Sequence, residues 1–348
     1  FWRCSHYEFG YRLGLETAAM IADRYDTDSS LGKAIEWAES NAAVLNSYLA
    51  THQQVFPEFM EELQGMADGA GQSFERVFIA NIQEELSYFV PGEAAARVDH
   101  CSDYLVSNSK AKIGGHNEDS GQETLNNTLI ISATIGNDPP FTCYAYAGEL
   151  PTVAFGVNGA GIGFTLNYVK PTTSWVRFGT GRNFLSRAVL AAPDWNSALA
   201  VLTSTGQGSG HSVNLFDFTN KVMANVESAG DRSTVVFPTA TGPLFHANLY
   251  LHLNVAQVPD LDSQHRDARA AALPKPTNRT GITRVLGDTT DGLGPPYFPI
   301  YQSGGDGLFT MATAFYDLNA CTIDVVTGNP LTSPQHLAKW AVESCTRV

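Results

Sequence analysis

Asp99-His100-Cys101-Ser102-Asp103, followed downstream by Gly115-His116-Asn117-Glu118-Asp119, decides how this chain is read. Cys101 and Asp119 lie 18 residues apart. That length suits a strand out, a tight turn and a strand back, so the two ends can meet. A cysteine without special chemistry is ordinarily a buried core thiol. The neighbours Asp99, His100, Ser102 and Asp103 make a poor core setting and point to a functional thiol instead. Two activations stay open. In one, His100 or His116 is the base of a thiol–imidazole pair. In the other, the chain is cut before Cys101 and the freed α-amine serves as base. An α-amine titrates near ~7.7–8.0 and a thiol near ~8.5, so that proton transfer is nearly balanced.

Upstream of the cysteine the pattern is helical. Leu13, Thr17, Met20, Ile21 and Tyr25 recur at three- and four-residue steps. A second helix is expected after Ser29-Ser30, with Ile35, Ala38, Ala42 and Leu45 on one side. Pro57 suits the first turn of a third, which ends in Asp68-Gly69-Ala70-Gly71, and Ser73 caps a fourth. Pro91-Gly92 then punctuates the chain, and Glu93 to Asp99 reads as an exposed linker.

Downstream the pattern changes to short strands separated by Gly, Asn and Pro turns. Expected strands are Tyr104–Ser107, Thr128–Thr134, Phe141–Tyr146, Thr152–Val157, Ile162–Asn167, Ser212–Phe218, Val222–Glu227, Thr234–Phe237, Phe245–Leu251, Leu308–Tyr316 and Thr322–Thr327. Helices are expected at Arg182–Leu190, Trp195–Leu202 (capped by Asp194), Ser263–Ala272 and Pro334–Glu343. Gly115 to Asp119 reads as a polar turn. Helices first, then two groups of strands with helices between them, predict a layered α+β sandwich. The division is a helical N-terminal segment, 1–100, and a catalytic region, 101–348, within one compact domain.

Composition narrows the function. Of 348 residues, 43% are hydrophobic and 16% charged, the balance of a globular chain with a large core. The net charge of −14 comes with no Lys/Arg-rich run, which excludes nucleic acid and anionic membrane as partners. No apolar run reaches the ~18 residues of a membrane span. The five cysteines are too scattered for a disulfide framework, and their pairing stays open. The start at Phe1 and the triplets Asn126-Asn127-Thr128 and Asn278-Arg279-Thr280 are compatible with a secretory route.

Competing motifs fall away on inspection. His116-Asn117-Glu118-Asp119 lacks a second ligand pair at helical spacing, so no metal is expected, and no cofactor either. Gly156 to Gly163 resembles a dinucleotide loop, but Phe164 stands where the last glycine belongs and no helix follows. Gly206 to His211 fails the serine-elbow pattern at Gln207 and His211. Asn248, alone in the apolar run Phe245–Tyr250, is either a structural anchor or an oxyanion donor, a role worth ~2.7–4 kcal/mol.

These pieces, in this order, resemble the penicillin acyltransferase-like N-terminal-nucleophile hydrolases, closest to the β-alanyl-dopamine hydrolase branch. The resemblance rests on Ser5-His6-Tyr7-Glu8-Phe9-Gly10-Tyr11, Gln64-Gly65-Met66-Ala67-Asp68-Gly69, Cys101-Ser102 with the spaced Gly115 to Asp119, and Gly148-Glu149-Leu150-Pro151. It continues through Asn158-Gly159-Ala160-Gly161, Arg182-Asn183-Phe184, Gly210-His211-Ser212 and His246-Ala247-Asn248. It implies a four-layer αββα sandwich and autocatalytic cleavage between His100 and Cys101. It also implies Cys101 as nucleophile with its freed amine as base, and as further catalytic residues Asn248, an oxyanion donor, and Asp119, a site-shaping or substrate-polarising carboxylate. His116, Asn117, Glu118 and Asn158 would then bind substrate. The substrate it implies is a small N-acyl amine, with the cleaved N-terminal fragment as the chain's own partner. Acyl transfer from the same thioester, or a silent binding relative, are the alternatives. Relatives usually have Gly before the cysteine, where this chain has His100. The acyltransferases among them carry an arginine near the closing strands, where this chain shows Gly304-Gly305-Asp306-Gly307.

Overall fold

A computed structural model describes residues 4–91, 101–151, 154–305 and 307–346. His100, and with it the expected cut, lies outside the described residues.

Six helices open the chain: α1 His6–Thr27, α2 Ser29–Ser40, α3 Ala42–Val55, α4 Pro57–Ala70, α5 Phe74–Ala80 and α6 Gln83–Leu86. Local chemistry fixes their ends. Ser5 and Glu8 form a reciprocal capping box at α1, Pro57 opens α4, Gly71 closes it in the left-handed region, and Ser73 caps α5. The single helix expected after Ser29 is broken at Asn41. Its φ of −127° is not helical, and its side chain takes the Trp37 carbonyl at 2.8 Å. Helices α1 and α4 lie backbone to backbone, since a Cβ on Gly10 would fall 1.9 Å from the Glu62 carbonyl oxygen.

The rest forms two antiparallel sheets. The first has the order β10-β1-β2-β11-β12-β13, with β1 Ser102–Ser107, β2 Lys112–Gly121, β10 Leu244–His246, β11 Leu308–Asp317, β12 Thr322–Thr327 and β13 Gln335–Ala341. The second runs β3 to β9 in sequence order: Thr128–Ala133, Phe141–Tyr146, Phe155–Asn158, Ile162–Tyr168, Gly210–Asp217, Val222–Ala229 and Arg232–Val236. Leu105, Phe216, Ala314 and Tyr316 pack between the sheets. Helices α7 Arg182–Ala191 and α8 Trp195–Leu202 cover the second sheet, alongside the N-terminal helices. Helices α9 Leu261–Ala272 and α10 Arg279–Leu286 cover the first. The expected αββα layering is therefore present.

Three local expectations need correction. Gly115 to Asp119 is not a turn but the middle of β2. Its polar residues masked the strand, because their partners come from across the sheets and not from the neighbouring sequence. The strand expected over Phe245–Leu251 stops at His246. Backbone amides of Leu251, His252 and Leu253 turn instead onto the Glu227 carboxylate. The helix expected near Pro334–Glu343 is the edge strand β13, and α10 was not foreseen. Cys321 and Cys345 form a disulfide, while Cys4, Cys101 and Cys143 are thiols.

Candidate active site

Strand alternation sorts the site residues onto two faces. On β1, Leu105 points between the sheets while Tyr104 and Val106 pack with α10. Cys101 and Asp103 share the parity of Leu105. On β2, a Cβ at Gly114 would strike the Phe216 ring of the opposite sheet, and one at Gly115 would strike Ile282 of α10. His116 and Glu118 therefore face inward, and Asn117 and Asp119 face the helices. The antiparallel register sets Asp103 opposite His116 and Ser102 opposite Asn117.

The inner face holds a buried relay. Cys101 Sγ donates to Glu118 Oε2 at 3.7 Å, and that oxygen lies 2.9 Å from His116 Nε2. His116 Nδ1 lies 2.9 Å from Asp103, which also accepts from the Thr165 hydroxyl at 2.8 Å. Tyr146 donates to the other Glu118 oxygen at 2.6 Å. Burial alone would lower the His116 pKa, but the two flanking carboxylates outweigh it and hold it at about 10. An imidazole already carrying both protons is not the base for Cys101.

The outer face is organised by Arg266 of α9. Its Nη1 donates to the Cys101 carbonyl at 2.5 Å and to the Ser102 hydroxyl at 2.9 Å. Its Nη2 donates to Asn248 Oδ1 at 3.0 Å, and its Nε to Asp262. Asn248 in turn donates to the Tyr168 carbonyl at 3.0 Å. The Glu227 carboxylate holds the chain on both sides of Asn248, pairing with His246 at 2.8 Å and gathering the amides of residues 251–253. Asp119 is fully buried, and no donor among the described residues meets either of its oxygens in hydrogen-bond geometry. Burial lifts its pKa to about 7 against the opposing pull of Arg266 and Thr310.

The remaining sequence-derived candidates serve the backbone. Asn117 donates to the carbonyls of Leu286 and Ile300, anchoring the end of α10 to β2. Asn158 donates to the carbonyls of Leu190 and Ala192 and accepts from the amides of Ala160 and Ile162, closing the β5–β6 turn. Arg266 is the residue that sequence reasoning missed. Its signal was faint: an arginine four residues after Asp262 on one helix, a spacing common on solvated faces.

A cavity of about 700 Å³ adjoins the site. Leu129, Ile130, Phe309 and Met311 give it apolar walls, with Thr310 and Gln302 at one side and Tyr144 at another. Thr310 pairs in register with Asp119, and Gln302 donates to Asp262 at 3.0 Å. Tyr144 stacks on Phe155, whose ring meets the His116 edge at 5.6 Å. The cavity is thus lined by neighbours of the site residues and not by Cys101, His116, Glu118, Asp119, Asn248 or Arg266 themselves.

Residues 106–332 match the family described as acyl-coenzyme A:6-aminopenicillanic acid acyl-transferase. The chain belongs to this family. Its members are the penicillin acylase-like N-terminal-nucleophile hydrolases. Within the family's reach, the chain is 26% identical over 367 residues to the β-alanyl-dopamine/carcinine hydrolase of Drosophila melanogaster, covering 96% of this chain and 93% of that one. Among solved structures it is similar to a Caenorhabditis elegans N-acylethanolamine-hydrolyzing acid amidase ortholog, with a TM-score of 0.43 and 13% identity over 68% of this chain and all of that one. It is also similar to penicillin V acylase from Agrobacterium tumefaciens, with a TM-score of 0.41 and 11% identity over 68% of this chain and 84% of that one.

Proposed function

We propose that this family member is an autoprocessing amide hydrolase that cleaves a small N-acyl amine, with a β-alanyl or similar aminoacyl group, through a thioester on Cys101. The observation behind the reading is the placement of Cys101: a buried thiol beside Glu118, at the start of β1, its carbonyl tied by Arg266 to Asn248. The relation to a β-alanyl-dopamine/carcinine hydrolase supports the aminoacyl half.

In this scheme the His100–Cys101 bond is cut first, and the new α-amine of Cys101 accepts the thiol proton. The thiolate attacks the substrate carbonyl carbon, and the negative charge moves to the carbonyl oxygen. The Asn248 amide, held by Arg266, is the donor for that oxyanion, a contribution of about 2.7–4 kcal/mol. The C–N bond breaks as the α-ammonium returns its proton to the leaving amine. Water then attacks the thioester carbon, releasing the free acid and restoring the thiol. Asp119, whose oxygens meet no donor in hydrogen-bond geometry among the described residues, is the counter-ion for the acyl group's ammonium, and the apolar cavity receives the body of the amine.

The test is a Cys101→Ala variant assayed on a panel of N-acyl amines for amine release. The proposal expects one uncut polypeptide with no amidase activity. The wild type should give two polypeptides, the larger beginning at Cys101. An uncut variant that still releases amine overturns the mechanism.

A further inference from the structure

Outside its part in amide chemistry, the inner face of β1 and β2 brings together a donor set that linear spacing did not foretell. Cys101 Sγ, His116 Nε2 and Glu118 Oε2 all lie within 4.8 Å of one another, and all three residues are buried. On a tetrahedral ion with a sulfur ligand at about 2.3 Å and an oxygen at about 2.0 Å, the two donor atoms stand roughly 3.5 Å apart. Cys101 Sγ and Glu118 Oε2 are 3.7 Å apart.

The groups behind these donors are arranged as they are behind metal ligands. His116 Nδ1 lies 2.9 Å from the Asp103 carboxylate, which orients the ring so that Nε2, now 2.9 Å from Glu118 Oε2, points at the other two donors. Tyr146 binds the outer oxygen of Glu118 at 2.6 Å and leaves Oε2 turned to the sulfur. Thiolate, imidazole and carboxylate together match zinc and its thiophilic relatives, and suit neither magnesium nor calcium.

We propose that Cys101, His116 and Glu118 form a three-donor site for a thiophilic divalent cation of the zinc class, and that a cation bound there silences the enzyme. Binding exchanges the Sγ–H and Nε2–H protons, released to solvent, for metal–sulfur and metal–nitrogen bonds, with no redox change. The sulfur lone pair that attacks the amide is then committed to the metal. The binding half stands on the donor geometry alone. The silencing half rests on Cys101 as nucleophile.

The test titrates chelator-stripped, full-chain protein with Co²⁺ and then displaces it with Zn²⁺. The proposal expects one ion per chain, a near-ultraviolet thiolate-to-cobalt band and the intense visible bands of four-coordinate cobalt. It expects Asp103→Asn to weaken binding about 10- to 100-fold. Cys101→Ser should abolish the thiolate band, and Glu118→Gln should shift the visible bands. Circular dichroism of each variant confirms that it has folded. In parallel, amine release by the wild type should fall in step with zinc occupancy and return on chelation. A thiolate band unchanged in folded Cys101→Ser places the metal on another cysteine and overturns the site, as does the absence of any band. Full amidase activity at full occupancy overturns the silencing. The cobalt spectrum is independent of turnover, so failure of the amidase reading leaves the metal test legible.

Discussion

The Arg266 guanidinium donates to the Cys101 carbonyl oxygen at 2.5 Å, joining helix α9 to the residue that precedes β1 across 165 positions of sequence. The same guanidinium holds Asn248 and Asp262, so one side chain sets the backbone of the proposed nucleophile and the proposed oxyanion donor together. Replacing it with lysine keeps the charge but loses the fork that serves three partners. Hydrogen bonds of charged groups are each worth about 1.5–3 kcal/mol. Arg266→Lys is expected to lower kcat about 10- to 100-fold with a smaller change in KM, as read from steady-state amine release.

Asp119 supplies a carboxylate that no described donor satisfies. If it receives the substrate's ammonium, Asp119→Asn raises KM for a β-alanyl amide about 10- to 100-fold. The acetyl amide of the same amine, which lacks the ammonium, should change little. Parallel kinetics on the two amides measure the difference directly.

Ile130 lines the cavity from β3 and is half-buried. Tryptophan there fills space that the proposed function gives to the amine. Shape changes in apolar pockets are worth about 1–3 kcal/mol. Ile130→Trp should therefore raise KM for aryl amines roughly 10-fold or more while leaving methylamine amides nearly unaffected.

Acid sensitivity has an identifiable source in His211. Burial, with help from the Arg182 charge, pushes its pKa down to about 3. The folded chain keeps this imidazole neutral, while the unfolded chain protonates it near ~6.5. Unfolding therefore takes up a proton between those values. The stability this residue contributes is complete above about pH 6.5 and falls by about 1.4 kcal/mol per pH unit as pH drops toward 3. Urea denaturation of wild type and His211→Gln across pH 4–7 should show that extra slope in the wild type only.

Cleavage before Cys101 should not separate the pieces. Arg187 pairs with Glu62 at 2.6 Å, Arg182 with Glu84 at 3.2 Å, and Arg24 with Glu149. Leu150 and Phe184 sit in the same apolar cluster as Leu63, Phe78 and Leu86. Gel filtration should yield one peak that resolves into two bands only after denaturation.

The layered fold was legible because apolar period and capping residues are local signals. Pro57, Ser73 and Asp194 stand at helix starts, and Phe141–Tyr146 and Thr322–Thr327 alternate like strands. The polar strand β2 was not legible as a strand, since partners of its side chains lie on β1, β4, β11 and α10. The spacing from Cys101 to Asp119 correctly brought the two segments together. It could not say that His116 and Glu118 face the thiol while Asn117 and Asp119 face the helices. That division follows from the pairing of Asp103 with His116, a matter of register between strands. Arg266 stayed hidden for a similar reason. Its partners at residues 101, 102 and 248 are remote in sequence, and an Asp–Arg helical pair alone predicts only a surface salt bridge.

The claim that Cys101 carries the acyl group is tested most directly by its mass. Wild-type protein turning over a β-alanyl aryl amide is quenched in acid, digested and weighed by mass spectrometry. The account predicts a peptide beginning at Cys101, heavier by one β-alanyl residue and absent from Cys101→Ala. Sustained amine release by Cys101→Ala, or an acyl adduct located on a different residue, would contradict it.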